Sequence, residues 1–193
     1  MKNLKTDEEL VLLIVNKDKE YFSELISRYQ DKLMVYIKRI TQVDESGAED
    51  ILQDSFIKAY RNINNFDTNL KFSSWIYRIV HNEVISAYRK STSKGKDSLI
   101  EVDEFVMQNI SDDFDTVAFS EGSITAEFIQ KALLEIDYKY KEVIILRYFE
   151  QKNYKEISDI LKKPTNTIAT QLSRAKKELR KKINNISNNA YEK

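Results

Sequence analysis

The sequence predicts an all-α protein: two small helical domains joined by a flexible acidic linker, the second ending in a helix-turn-helix. Three observations carry this expectation. Only three glycines and one proline occur in 193 residues, too few for the turns that a sheet protein needs. Apolar residues recur at steps of three and four along most of the chain. Charge is also uneven, although Lys+Arg and Asp+Glu both total 31. Residues 1–90 balance, residues 91–126 carry a net −6, and residues 151–193 carry a net +7. An acidic middle joined to a basic end suggests separate modules with separate partners.

Composition excludes several classes of chemistry. There is no cysteine, so neither a disulfide framework nor a thiolate metal site can form. His81 is the sole histidine and cannot join a His-based metal site or triad; it is read as solvated or near a nucleic acid, without a proton-transfer role. No glycine-rich phosphate loop, catalytic triad or metal-ligand cluster is present. We therefore expect no enzyme activity, no cofactor, no metal and no small-molecule substrate. The start, "MKNLKTDEEL", lacks a signal-peptide apolar run, and no stretch approaches the roughly 18 apolar residues of a membrane span. Together with the missing cysteines, this points to the cytoplasm.

The elements follow in order. Thr6 with Glu9 is a capping box that opens a first helix, with Leu10, Leu13 and Ile14 on one face. From about Lys19 a long amphipathic helix carries Phe22, Leu25, Ile26, Tyr29, Leu33, Tyr36, Ile37 and Ile40 as its stripe. Ser46 with Glu49 is a second candidate capping box, ahead of "AEDILQDSFIKAYRNI". "NNFDTNLKFSS" breaks the period and reads as a loop. Ser73 or Ser74 then caps a helix whose inward row is Ile76, Ile79, Val80, Glu83, Val84 and Ala87. Residues 91–122 lose the pattern and hold most of the acidic excess, as a flexible linker with a short helical turn near Phe105. Regular structure resumes at about Ser123, with Ile129, Ala132, Leu133 and Ile136 on one helix and Val143, Ile144, Leu146 and Arg147 on another. Asn153 with Glu156 caps a short helix bearing Ile157, Ile160 and Leu161. The domains are thus expected at 1–90 and 123–193, with 91–122 between them.

Pro164, the only proline, explains itself physically. It cannot continue the helix that ends near Leu161, and it suits the first turn of the next. The last helix carries Ile168, Leu172, Ala175 and Leu179 as its stripe. Ser158 is small and faces the crossing, so the pair can approach closely. This is a helix-turn-helix, whose second helix can enter a DNA major groove. Thr165, Asn166 and Thr167 place polar side chains and free N–H groups at that helix's start, where a phosphate is attracted. Arg174, Lys176, Lys177, Arg180, Lys181 and Lys182 follow, spaced to track a phosphate backbone. The same run also fits an ordinary solvated basic face.

Two further stretches, "AEDILQDSFIKAYRNINNFD" and "FSSWIYRIVHNEVISAYRK", resemble the core-binding and promoter-melting domain of bacterial sigma factors. "LRYFEQKNYKEISDILKKPTNTIATQLSRAKKEL" is similar to the helix-turn-helix that closes the second domain of the extracytoplasmic function (ECF) group. The likeness runs from about Glu8 to Ile183, with the variable linker in the expected place. It implies a sigma factor that binds core RNA polymerase, directs it to minus-ten and minus-thirty-five promoter elements, and melts the former. It also implies an anti-sigma partner, in this family often membrane-anchored.

The resemblance assigns residues as well. On the helix over 49–63, Asp50, Gln53, Asp54, Phe56 and Lys58 would meet a coiled coil of the largest polymerase subunits. Such docking needs register-setting charges around an apolar centre, although Phe56 also fits the core. Phe66, Asp67, Asn69, Arg78, Asn82, Arg89 and Lys90 would recognise and melt the minus-ten element. Within that set, the loop residues would hold an unstacked base, Asn82 would read a base edge with its amide, and the cations would hold phosphates. Trp75 matches the family's tryptophan; its helical spacing favours the core over base stacking. Thr165, Asn166, Thr167, Thr170, Gln171, Arg174 and Lys177 would bind the minus-thirty-five element. The linker would thread the polymerase cleft, or serve only as a solubilising spacer.

The chain departs from the family pattern in places. Lys162 stands where the family usually has glycine, and a positive φ there would cost ~1 kcal/mol. Ala169 and Gln171 replace residues that are often basic, and Ser86 replaces the usual aspartate. Two other readings are a helix-turn-helix repressor or activator acting without polymerase, and a helical adaptor whose basic end binds acidic protein. The first leaves the 48–90 resemblance unexplained, and no alternating strand pattern for a ligand or receiver domain precedes it.

Overall fold

The computed structural model describes residues 5–41, 43–90, 110 and 126–191. The expected linker, with its helical turn near Phe105, lies outside these apart from Ile110. Among the described residues there are eight α-helices and no strand: α1 Asp7–Asn16, α2 Phe22–Thr41, α3 Glu45–Asn62, α4 Phe72–Lys90, α5 Ala126–Glu135, α6 Tyr138–Ile144, α7 Tyr154–Leu161 and α8 Thr165–Tyr191. The chain divides into two compact units, the first holding α1–α4 and the second α5, α6 and α8.

In the first unit, α2, α3 and α4 pack on one another around Leu25, Leu33, Ile37, Ala48, Ala59, Ile76 and Val80. α1 starts at the expected capping box: Thr6 accepts from the Glu9 N–H while Glu9 accepts from the Thr6 N–H. α3 starts differently. Asp44 accepts from the Gly47 N–H, so the helix begins at Glu45, and Ser46 with Glu49 lies inside its first turns. Aspartate is at least as good an N-cap as serine, and it comes first along the chain. α4 also begins earlier than expected. Neither Ser73 nor Ser74 caps it; instead Glu8 reaches over from α1 and accepts from the Phe72 N–H at 2.9 Å. Ser74 is buried, and among the described residues its hydroxyl has no hydrogen-bond partner.

The α1–α2 junction is polar and cooperative. The Asp7 carboxylate accepts from Arg28 at 2.8 Å and from the buried Tyr29 hydroxyl, while Arg28 also binds Glu24. Burial, then the hydrogen bond to Asp7, pushes the Tyr29 phenol far above its ordinary pKa of 10. A raised pKa means stability that is present below the unfolded value and lost as pH rises above it. Unfolding free energy should therefore fall above about pH 10, and Tyr29→Phe should flatten that fall. Denaturant titrations between neutral and strongly alkaline pH check this; equal slopes for both proteins would rule it out.

In the second unit, α8 packs on α5 and α6 through Ile168, Leu172, Ala175, Leu179 and Ile183. α6 runs into one π-helical turn, Ile145–Phe149, followed by Gln151 at φ 53°. Asn153 and Glu156 then form the expected capping box of α7. α7 ends on Lys162 in the left-handed region, φ 53° and ψ 43°. The geometry that glycine would take is retained, so the lysine bears the strain anticipated from the sequence. Ser158 helps to hold it, donating from Oγ to the Lys163 carbonyl at 2.6 Å while its own carbonyl accepts from the turn. Pro164 precedes α8, and its carbonyl accepts from the Ile168 N–H.

Candidate polymerase and promoter surfaces

α3 turns a polar strip outward. Asp50, Gln53 and Asp54 are all exposed. Ile57, at the next matching step, is 47 % exposed. It is an exposed apolar side chain among three polar ones. Phe56, named from the resemblance as a contact but also fitting the core, is half-buried against Phe22, with ring centroids 6.5 Å apart. The spacing 50, 53, 54, 57 was the available signal, one helical face that leaves Phe56 behind it. Lys58 lies on α3's flank and pairs with Glu83 of α4 at 2.5 Å, tying the two helices together. That pairing explains the polar member of α4's row.

The loop between α3 and α4 hangs on an aromatic anchor. Phe66 is buried, edge-on to Phe72 at 5.8 Å and to Trp75 at 5.4 Å. Tyr29 closes the group against Phe72 at 5.5 Å. Trp75 is 7 % exposed and belongs to this core. Beyond the anchor, Asp67 accepts from both the backbone and side-chain amides of Asn69, each at 2.9 Å. Asp67 and Asn69 are both exposed.

On α4, Asn82 is exposed and the half-buried Arg78 lies one turn before it. Arg89 and Lys90 fall in the helix's last turn, their side chains outside the described set. His81 differs from expectation. It is 3 % exposed, with Nδ1 3.0 Å from the Tyr36 hydroxyl, and is neither solvated nor at the surface. A bond between two buried polar groups is directional. It fixes the roll of α4 and leaves the neighbouring Asn82 pointing out.

In the second unit, Thr165, Asn166, Thr167, Thr170, Arg174 and Lys177 are exposed along α8, and Gln171 is half-buried. Asn166, Thr167, Thr170 and Arg174 line a shallow concavity of about 540 Å³. Lys139 and Tyr140 of α6 form its other wall, two residues that the sequence reading missed. They are brought there by the α6–α8 packing, which no local pattern announces. Thr165 and Lys177 lie outside the concavity. Thr170 donates to the Asn166 carbonyl at 2.9 Å.

The chain is similar to known proteins over most of its length. Residues 25–94 match the family model Sigma-70 region 2, and residues 128–179 match Sigma-70, region 4. The chain is 34 % identical to the ECF RNA polymerase sigma factor SigW of Bacillus subtilis over 178 residues, 88 % of this chain and 92 % of that protein. It is 28 % identical to the ECF RNA polymerase sigma-E factor of Haemophilus influenzae, over 92 % of this chain and 95 % of the other. The solved structure of CnrH in complex with the cytosolic domain of CnrY shares the fold at TM-score 0.64 and 20 % identity, covering 91 % of this chain and 96 % of that one. So does the sigma factor RpoE of Bartonella quintana, solved with the anti-sigma factor NepR, at TM-score 0.63 and 22 % identity, covering 84 % and 96 %. The chain belongs to the ECF sigma factors of the sigma-70 family. It is a transcription initiation factor that directs RNA polymerase to promoters.

Proposed function

We propose that the two units divide the work as 1–90 and 123–193. α3 docks on core polymerase through Asp50, Gln53 and Asp54 around Ile57, with Lys58 at the flank. The α3–α4 loop and α4 recognise and open the minus-ten element, and the start of α8 recognises the minus-thirty-five element. The chain itself performs no catalysis. The observation that carries this reading is the outward Asn82 beside the inward-locked His81. An amide held at a fixed roll can donate and accept at one base edge. Arg78 is one turn away to meet a phosphate, and the Phe66-anchored loop supplies a rigid rim for an extruded base.

Asn82→Ala tests it. A good base contact gives about 1–3 kcal/mol of discrimination, so promoter opening by the reconstituted holoenzyme should fall roughly tenfold. Closed-complex affinity should stay within twofold. Equal losses in permanganate footprinting and in closed-complex binding would remove Asn82 from melting.

Among the described residues no helix is long and apolar enough to cross a membrane, and we place the working protein in the cytoplasm. The Bartonella protein's complex with an anti-sigma factor supports a partner of that class. Exposed Leu12, Val15, Val35 and Tyr154 offer it apolar contacts.

A further inference from the structure

Beneath the concavity on α8 lies a carboxylate that the proposed function does not use. Glu142 of α6 has a side chain only 6 % exposed, and it accepts from Lys163 Nζ and, at 3.1 Å, from Gln171 Nε2. Lys163 Nζ also donates to Gln171 Oε1 at 3.3 Å, so the three groups close a ring. Gln171 Nε2 further donates to the Lys139 carbonyl on the opposite wall. Both ends of the Gln171 amide are thus engaged inside the protein. The backbone of the same turn is held separately by Ser158. The ring therefore joins three pieces: α6 through Glu142, the left-handed turn through Lys163, and the second turn of α8 through Gln171.

We propose that this ring is a latch setting the angle at which α8 is offered to DNA, with Glu142 and Gln171 as positioning residues and not base readers. The inference rests on the reading of α8 as the minus-thirty-five helix. Two physical consequences follow. An anion buried under a DNA-facing surface must be neutralised, and Lys163 does this at the expense of its own attraction for phosphate. Removing the anion alone should then free the Lys163 charge for the DNA backbone while releasing α8 from its fixed angle. Non-specific affinity would rise as specific recognition falls, a pairing that mere loss of stability does not produce.

The experiment measures holoenzyme binding to promoter fragments with an intact or scrambled minus-thirty-five element, across a salt series. For Glu142→Gln the slope of log affinity against log salt should steepen by roughly one, the increment for one added phosphate contact. The intact-to-scrambled affinity ratio should drop about fivefold, within the coupling expected inside one hydrogen-bond network. The double variant Glu142→Gln/Lys163→Met should restore the wild-type slope. Hydrogen exchange over the first two turns of α8, Ile168–Leu172, in the free chain gives a readout independent of DNA, with faster exchange expected for Glu142→Gln. Wild-type slope, ratio and exchange in Glu142→Gln would overturn the latch alone. A wild-type protein that does not distinguish the two fragments would overturn the reading of α8, and the latch with it.

Discussion

Ile57→Asp should weaken binding to core RNA polymerase by roughly 30-fold, the effect of losing about 2 kcal/mol at an interface hot spot. Ile57 is 47 % exposed, so burial on folding gives it little reason to be apolar there. Asp50, Gln53 and Asp54 surround it on the same face of α3. An aspartate would set a fourth polar group, and a further charge, at the point that has to be desolvated on docking. Thermal stability should barely change, because surface substitutions outside special sites stay within about 0.5 kcal/mol. Leu12→Asp on α1, at 48 % exposure, provides the control for generic surface charge. Competition for core enzyme against a labelled sigma factor measures both variants. If Ile57→Asp competes as well as wild type, α3's outer strip is not the docking face. If Leu12→Asp loses as much, the effect is not local to α3.

Much of this arrangement was legible because its causes are local. The boxes Thr6/Glu9 and Asn153/Glu156 each satisfy helix ends within four residues, and both form. The end of α7 was readable because Pro164 forbids its continuation, and the left-handed turn at Lys162 because the family resemblance puts glycine there. What failed was mostly non-local. The cap of α4 comes from Glu8, 64 residues earlier, and no window of sequence contains both. The inward row of α4 was read as Ile76, Ile79, Val80, Glu83, Val84 and Ala87, whereas Tyr77 and His81 are buried and Ile79 and Glu83 are only half-buried. The core side of the helix is thus rolled toward Tyr77 and His81. Tyr36 accounts for it, lying 5.2 Å from the Tyr77 ring and hydrogen-bonded to His81. A histidine one turn after a tyrosine in an apolar row was a usable signal, outweighed by the prior that histidines are often near the surface.

That roll bears on the proposed role of α4. Asn82 and His81 are adjacent, and successive helical residues are turned by about 100°. Fixing the direction of one therefore fixes the direction of the other, and here Asn82 is exposed. The buried pair Tyr36–His81 and the salt bridge Lys58–Glu83 hold α4 against α2 and α3 respectively. The proposed melting helix is thereby pinned to the helix proposed to dock on polymerase.

Trp75→Ala should lower the stability of the N-terminal unit by about 3–5 kcal/mol, the usual result of truncating a buried aromatic. Domains commonly hold only about 5–15 kcal/mol in all, so a large share of the protein should unfold near body temperature. Trp75 touches both Phe66 and Phe72, at 5.4 and 5.6 Å, so the loss should fall on the loop as well as the core. The chain contains one tryptophan, which makes the prediction directly observable. In the wild type its emission should be blue-shifted and shielded from soluble quenchers, and it should remain so when promoter DNA and core enzyme are added. A base stacked on the ring would instead quench it as the promoter opens. Trp75→Phe separates the roles further, since it refills most of the cavity and should recover more than half of the lost stability together with normal opening. Strong quenching on opening, or a Trp75→Phe protein that is stable yet cannot open DNA, would move Trp75 out of the core and into the set of residues that handle the unstacked strand.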